Sequence, residues 1–337
     1  MRKLATIRYI HEIIPIEGAD NIEIAVVDGW NCVVKKGSFS PREIIVYIEI
    51  DSFIPIHPYF EYLRKSSYKK MGEEEGFRLK TIRLRGVYSQ GLVVSLKDLI
   101  KEGFLEDKTY IVNFDDVTKE LGIQLYEPPI SAQLSGNAKG NFPSFLIKTD
   151  EERVQNLDYN KLKSDTYYVT EKLDGSSISI YLNDNIFGVC SRNLDLLEDE
   201  NNTFWKTTRD LNIEQIMRDN NLDGICFQGE LIGEGIQKNK YGLKGFSIRF
   251  FNVFDIKKRK YYSFNDFINL INKLGLQTVP VLEKEMKLPD DRKELLLYSE
   301  AKSSLRDVER EGIVLRTTGE NRISFKVISN KFLLKED

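Results

Sequence analysis

Two short β-type runs, Tyr167-Tyr168-Val169-Thr170 and Ser177-Ile178-Ser179-Ile180-Tyr181-Leu182, flank the stretch Glu171-Lys172-Leu173-Asp174-Gly175-Ser176. The β-branched and aromatic content of the first and the alternation of the second read as strands. Hinged on so short a loop, they hold one lysine and one aspartate at the mouth of a site, and the rest of the chain has to be built around that point. A lysine is a nucleophile only as the neutral amine. It ordinarily titrates near about 10.4, so neutralising it at pH 7 costs roughly 4 to 5 kcal/mol. Cationic neighbours or a metal would have to lower its pKa. Alone, Lys-x-Asp-Gly arises too readily from ordinary residue usage to identify anything. The plain reading is a lysine on a solvated hairpin.

A length of 337 residues leaves room for about two domains, each able to bury its own core. Lys+Arg 49 against Asp+Glu 52 gives a formal charge of -3, which by itself predicts no polyanion partner, although local basic strips still count. Cys32, Cys190 and Cys226 are odd in number and far apart, which fits free thiols in a reducing compartment rather than a disulfide scaffold or zinc site. His11 and His57 are the only histidines, both near the start, so neither a histidine-centred triad nor a His-rich metal site is expected and the chemistry should run on Lys, Arg, Asp and Glu. No stretch approaches about 18 uninterrupted apolar residues, and the amino terminus lacks the apolar core of a signal peptide. The expectation is an intracellular protein of cytoplasm or nucleus, with no membrane partner.

Residues 1–125 read as mostly β, with strands over Leu4 to Tyr9, Ile22 to Val27, Trp30 to Lys35, Ile44 to Ile50 and Leu79 to Leu84. Short strands at this density predict a small closed barrel of the OB type. In Arg78-Leu79-Lys80-Thr81-Ile82-Arg83-Leu84-Arg85 the cations change phase near Thr81 and Ile82, as a β-bulge would produce. With Lys69 and Lys70 this ribbon could track phosphates, and an edge strand guarded by charge explains it as well. A short helix is expected at Asp116 to Leu121. Tyr126-Glu127-Pro128-Pro129 and Ser135-Gly136-Asn137-Ala138-Lys139-Gly140 then read as a linker over 126–141. From 142 to 337 helices (Asn212 to Asn220, Asn265 to Leu274, Asp290 to Leu305) mix with strands (Ile225 to Leu231, Ser247 to Ile256, Gly312 to Arg316, Arg322 to Ile328). That mixture predicts an antiparallel α+β domain.

After the lysine come Ser191-Arg192-Asn193, Gln228-Gly229-Glu230-Leu231-Ile232-Gly233, Phe250-Phe251-Asn252-Val253-Phe254-Asp255-Ile256, Glu311-Gly312-Ile313-Val314-Leu315-Arg316 and Ser324-Phe325-Lys326-Val327-Ile328. Singly, each is more often a solvated strand end than a ligand. Together and in this order they resemble the covalent nucleotidyltransferases, which include DNA ligases, RNA ligases and mRNA capping enzymes. Arg2-Lys3-Leu4-Ala5-Thr6-Ile7, Asp28-Gly29-Trp30, Tyr47-Ile48-Glu49-Ile50-Asp51-Ser52-Phe53 and Arg83-Leu84-Arg85-Gly86 narrow this. They are similar to the amino-terminal OB domain of Naegleria-type ATP-dependent RNA ligases. Phe145-Leu146-Ile147-Lys148-Thr149-Asp150-Glu151-Glu152-Arg153 is similar to the segment leading into their nucleotide pocket.

The resemblance implies an OB-type barrel followed by an antiparallel α+β, ATP-grasp-like nucleotidyltransferase domain. It implies an enzyme joining RNA 3′-hydroxyl and 5′-phosphate ends, especially at nicks in duplex RNA, beside an end-healing kinase or phosphatase. Lys172 would attack the α-phosphorus of ATP to give a lysyl-AMP. Asp174, Glu230 and Glu311 would contact Mg²⁺ or Mn²⁺ directly or through water. Arg192 would hold the ribose or the RNA 5′-phosphate, Phe254 would stack on adenine, and Glu171 would sit at the adenine edge. The Glu171 main chain could read the base there, and Lys326 would clamp the α-phosphate and help depress the pKa of Lys172. Relatives often carry Lys-x-Lys in the last motif. Here Lys326 is followed by Val327-Ile328, which leaves Lys331 as the candidate second lysine and a surface lysine as its rival. Lys148 and Arg153 match the approach segment, where exposed helix charge explains them equally.

Within the superfamily, a capping-type guanylyltransferase or DNA ligase would carry an OB domain after the nucleotidyltransferase domain, whereas this chain ends nine residues after Ile328. No NAD-binding domain is visible, so ATP is the expected nucleotide. The alternative from another class is a non-catalytic RNA-binding protein that retains a ligase fold. Against it stands the joint presence of Lys172, Asp174, Arg192, Glu230, Glu311 and Lys326.

Overall fold

The computed structural model describes residues 2–107, 114–127, 138–319 and 322–335. It divides into two compact units, 1–129 with 333–337 and 130–332. Of the segment read as a linker, 128–137 lies outside the described residues.

The first unit is built from short strands. β1 (Ala5–Tyr9), β5 (Ile44–Ile48) and β11 (Leu92–Ser95) form one antiparallel sheet. β2 (Glu12–Pro15), β3 (Ile22–Val27) and β4 (Trp30–Lys35) form a second. β6 (Ser52–Pro55), β7 (Tyr68–Met71), β8 (Glu74–Arg78) and β12 (Gln124–Leu125) form a third. Ala5, Ile7, Val46, Ile48, Ile54, Phe77 and Val94 fill one core between the first and third sheets, and Trp30 stacks on Tyr47. This is the OB barrel, in which alternate residues of each short strand point inward.

Two expectations differ here. Residues 78–85 do not make one bulged strand: β8 ends at Arg78, and β9 (Ile82–Leu84) begins a separate hairpin with β10 (Val87–Ser89). The phase change marks that break. Arg85 (φ 48°) and Gly86 (φ 84°) are both left-handed, as a two-residue turn between twisted strands requires. Asp116 to Leu121 forms turns rather than a helix, because Asp116 bridges to Thr6 and its Oδ1 accepts the Thr118 N–H at 3.0 Å.

Among the described residues the second unit rests on two sheets. One has the order β13 (Ala138–Asn141), β18 (Leu194–Leu196), β17 (Ile186–Cys190), β16 (Ser176–Asn183), β19 (Ile225–Gly233), β20 (Phe246–Asp255) and β21 (Lys260–Tyr261). The other runs β14 (Glu152–Arg153), β24 (Ser324–Ile328), β23 (Gly312–Thr317), β15 (Tyr167–Lys172) and β22 (Val281–Met286). Ala138–Asn141 therefore belongs to a sheet, although its sequence reads as the end of a linker.

Period-2 alternation gives each sheet one oily face. Ile178, Ile180, Phe227, Leu231, Ile248 and Phe250 of the first sheet pack with helices 203–210, 213–219 and 264–273. Tyr167, Val169, Ile313, Leu315, Phe325 and Val327 of the second fill another core with helix 292–299. That helix is shorter than the expected Asp290 to Leu305, and residues 300–311 run as a loop back to β23. The opposite faces of the two sheets are left for polar side chains. No helix among the described residues is long and apolar enough to cross a membrane.

Candidate active site

β15 and β16 belong to different sheets, so the stretch between them is not a hairpin. Leu173-Asp174-Gly175 is the crossing from one sheet to the other, and Lys172, the last residue of β15, stands where they meet. Gly175 is required by closeness rather than by a turn. A Cβ there would lie 2.5 Å from the Leu231 carbonyl oxygen, 2.7 Å from Ile232 Cγ2 and 2.8 Å from Glu230 Cγ. The crossing is pinned from the other side, where Tyr241 Oη accepts the Asp174 N–H at 2.7 Å and Lys240 forms an ion pair with the Asp174 carboxylate.

Register decides which groups join Lys172. On β15, Tyr168, Thr170 and Lys172 share the polar face. Opposite them stand Arg316, Val314 and Gly312 of β23, and opposite those Ser324, Lys326 and Ile328 of β24. Lys326 is thus one ladder step away diagonally, across Val314. A side chain at Gly312 would overlap the Val327 carbonyl oxygen, so the space beside Lys172 stays open. Lys172 Nζ donates to Glu311 Oε1 at 2.6 Å. Glu230, on the facing strand β19, is close enough to feel the charges of Lys172, Glu311 and Asp174.

The electrostatics differ from what a nucleophilic lysine leads one to expect. Burial disfavours the Lys172 ammonium, but Glu311 and Glu230, with help from Asp174, outweigh it and hold the pKa above the ordinary value. The lysine is therefore held protonated, where a lowered pKa was expected. Lys326 acts on Glu311, opposing the burial that raises that carboxyl. Burial, partly offset by Lys172, pushes Glu230 up to about 8. Glu311 Oε2 is buried with no hydrogen-bond partner among the described residues. Asp174, Glu230 and Glu311 surround the lysine without converging. Among the described residues no group of three or more His, Cys, Asp or Glu is arranged to hold a metal ion.

Away from Lys172 the two polar faces are laced together. Arg316, buried, donates to Thr170 Oγ1 and Glu151 Oε1, both at 3.2 Å. Gln228 Nε2 donates to the Ile147 carbonyl at 2.7 Å and its Oε1 accepts from Asn252, whose Oδ1 accepts from Arg322 at 2.8 Å. Between these lies Phe251, half-buried, with the Arg316 guanidinium 5.5 Å from its ring centre.

Phe251 displaces Phe254 as the aromatic of the site. Gln228 pairs with Asn252 and Gly229 with Phe250, so Phe251 is the extra residue of a bulge. Phe254 is 0% exposed among Leu146, Tyr181, Cys190 and Cys226, on a part of the polar face that Phe142 to Ile147 cover. Four phenylalanines in one strand signalled an aromatic, but not which one the bulge would turn into the cleft. The Glu171 side chain takes no part in the polar face, which leaves its expected role to the main chain. Its carboxylate lies on the opposite face of β15, where Oε2 accepts the Ser304 N–H at 2.8 Å, and its own N–H donates to the Pro280 carbonyl at 2.9 Å.

The remaining candidates lie further out. Arg192 is exposed and paired with Asp150 at 2.7 Å, and Lys148 donates to Asn193 Oδ1 at 2.8 Å, which brings these two cations to one patch. Arg153 is buried on β14 beside Lys326 rather than on a helix surface. Lys331 points to Glu300 Oε2 at 3.5 Å, away from Lys172. Lys240 and Tyr241 went unnoticed in the sequence, and Arg316 was read only as the end of a strand. The only signal for the first two was a run rich in Gly and Lys between Gly233 and Gly245.

An OB-fold domain model matches residues 4–96 and an RNA ligase model matches residues 165–328. The chain is similar over its length to solved structures of Naegleria gruberi RNA ligase. With the form solved with PPi it shares 39% identity at a TM-score of 0.92, covering 100% of this chain and 99% of that one. With a mutant solved with ATP and Mn the values are 38% and 0.92, covering 99% of each chain. With a mutant solved with AMP and Mn they are 38% and 0.91, again covering 99% of each. A comparison with curated protein sequences gives no match.

Proposed function

The chain belongs to the ATP-dependent RNA ligases, and we propose that it seals 3′-hydroxyl to 5′-phosphate ends at nicks in duplex RNA through a lysyl-AMP on Lys172. The observation that carries this is the setting of Lys172, at a crossing between two sheets, hydrogen-bonded to Glu311, faced by Glu230, with Lys326 on the same face. Its nucleotide is ATP and its metal Mg²⁺ or Mn²⁺, as in relatives solved with ATP and Mn.

Such a cation fits the residues present, because the unpartnered Glu311 Oε2 and the buried Glu230 carboxyl both gain from a positive ion. Glu311 and Glu230, with Asp174, would hold it. Mg²⁺ keeps several waters and takes few protein ligands, so no preformed cage is needed. When bound, the metal offsets charge on the phosphates.

In the first step Lys172 Nζ gives up a proton, with Glu311 Oε1 as its nearest acceptor. The freed lone pair forms a P–N bond to the α-phosphorus. The bond from that phosphorus to the bridging oxygen breaks, its electron pair leaves with pyrophosphate, and the nitrogen sheds a second proton. Lys326 steadies the α-phosphate and Phe251 stacks on the base, with Thr170 and Arg316 at its edge. Arg192 and Lys148 exchange Asp150 and Asn193 for the RNA 5′-phosphate, to which AMP moves next. The 3′-hydroxyl then displaces AMP. The basic hairpin β9–β10 of the OB unit supports duplex binding. Ends of this chemistry come from a kinase or phosphatase class of reaction.

The test is intact mass after incubation with ATP, GTP or NAD and Mg²⁺ or Mn²⁺, with Lys172→Ala in parallel. One AMP gained from ATP alone and lost in the variant is the expected result. Adenylylation retained by Lys172→Ala removes it as nucleophile, GMP gain indicates a capping enzyme, and no adduct indicates an RNA-binding protein without this chemistry.

A further inference from the structure

The β19–β20 hairpin places a second ammonium against Asp174, two residues from the nucleophile, and the chemistry above makes no use of it. Its connection passes through three consecutive non-glycine residues with positive φ, Gln237 (43°), Lys238 (58°) and Asn239 (47°). L-residues avoid that region. The turn is held from within, since Asn239 Nδ2 donates to the Leu243 carbonyl at 2.9 Å and Asn239 Oδ1 accepts the Leu243 N–H at 3.1 Å. Arg306 reaches the Lys240 carbonyl at 3.4 Å and packs where Gly242 has no side chain.

What this turn delivers is Lys240 and Tyr241. Tyr241 holds the Asp174 backbone, and Lys240 is paired with the Asp174 carboxylate while its amine lies 4.0 Å from the ring centre of Phe332. At the foot of the same hairpin, Arg249 stands directly across the ladder from Glu230, on the polar face. Its Nε is buried without a hydrogen-bond partner, and it forms no ion pair among the described residues. A half-buried guanidinium with no anion, in a chain with 52 Asp and Glu, is set aside for one that arrives with a ligand.

We propose that Lys240, with Arg249 behind it, receives the phosphates that leave as pyrophosphate, Lys240 giving up Asp174 for them when nucleotide binds. This rests on the RNA ligase reading. As the P–N bond to Lys172 forms and the bond to the bridging oxygen breaks, negative charge builds on the departing group. A cation fixed there favours the transition state. Neither transfer of AMP to RNA nor attack by the 3′-hydroxyl involves pyrophosphate, so Lys240 acts in the first step and its reversal only.

The experiment compares full-length wild type with Lys240→Met, Lys240→Arg and Arg249→Met. Three rates are read: single-turnover adenylylation by ATP, loss of AMP from the adenylylated enzyme on adding pyrophosphate, and sealing of a pre-adenylylated nicked RNA duplex. Lys240→Met is expected to slow the first two by about a hundredfold. It raises the pyrophosphate concentration needed for half-maximal reversal and leaves the third within about twofold, while Lys240→Arg restores much of the loss and Arg249→Met repeats the pattern more weakly. Unchanged adenylylation in Lys240→Met overturns the proposal. Equal loss in all three rates overturns it too, and makes Lys240 a support for Asp174. If wild type takes no AMP from ATP, the failure lies with the ligase reading instead.

Discussion

Gly175→Ala is the smallest change that should disable the sheet crossing. The added carbon would meet the Leu231 carbonyl oxygen at 2.5 Å, Ile232 Cγ2 at 2.7 Å and Glu230 Cγ at 2.8 Å, whereas ordinary contact begins at 3.4 Å. The crossing must therefore back away from β19 by about 0.6 to 0.9 Å. The nearest atom is backbone in the middle of a paired strand and cannot swing aside. Forcing a carbon into such a space costs about 1 to 3 kcal/mol. For a unit of about 200 residues that lowers Tm by roughly 2 to 10 °C. The chemical cost is larger, because Lys172 and Asp174 move with the crossing, and a shift near 1 Å can slow a reaction about a hundredfold. Thermal unfolding and the time course of AMP gain by intact mass measure the two effects. Gly140→Ala is the control, since nothing lies within 4 Å of its added carbon. A Gly175→Ala enzyme with wild-type Tm and wild-type adenylylation would show that the crossing is not pressed against β19, and the account of why glycine follows Asp174 would fall.

Three further outcomes follow from the same geometry. Burial lifts Glu230 from the usual carboxyl range to about 8, so the fold favours its acid form, and its presence costs stability increasingly as pH rises from 4.5 to about 8. The Tm advantage of Glu230→Gln, measured without nucleotide or divalent cation, should be absent near pH 4.5 and grow up to about pH 8; a pH-independent difference would contradict it. Phe254→Ala should destabilise the protein by about 3 to 5 kcal/mol, whereas Phe251→Ala, at a side chain half-buried against Leu173, Ile232, Tyr241 and Val279, should lower Tm by less and raise the KM for ATP about tenfold. The reverse pattern would return the stacking role to Phe254. Removing the charges of Arg83 and Arg85 should weaken sealing of nicked duplex RNA and flatten its salt dependence more than it slows self-adenylylation; equal loss of both would give the β9–β10 hairpin a folding role.

Alternation in the sequence tells which face a residue takes, and that much of the molecule was legible. Val169 and Tyr167 point one way along β15, Thr170 and Lys172 the other, as a period of two requires. Alternation does not tell which strand lies next door. β15 and β16 look like a hairpin because only Leu173-Asp174-Gly175 separates them, yet their apolar residues fill two different cores. Partner choice depends on contacts far along the chain, such as Ile313 and Leu315 for β15 and Phe227 and Leu231 for β16. The helix expected to reach Leu305 stops at Ser299 for a similar reason. The Glu171 carboxylate captures the Ser304 N–H, and Arg310 donates to the Ser299 carbonyl at 3.0 Å, so residues beyond Ser299 follow tertiary bonds rather than helical spacing.

The site divides along the same line, between residue types and their partners. Lys172, Glu230, Glu311 and Lys326 come together as their order in the sequence suggested, because register on β15, β23 and β24 puts odd and even positions on fixed faces. Their charge states could not be read that way. A sequence shows a lysine that needs a low pKa, whereas the folded chain holds it high against Glu311 and binds a second lysine to Asp174. Glu311 and Asp174 thus each have an ammonium for a partner. Leaving either charge alone in a buried cleft would cost several kcal/mol, so the pairs are what allow the cleft to exist before its substrate arrives. On the proposed reading, reaction begins with an exchange of partners, in which Lys172 is released from Glu311 and Lys240 from Asp174.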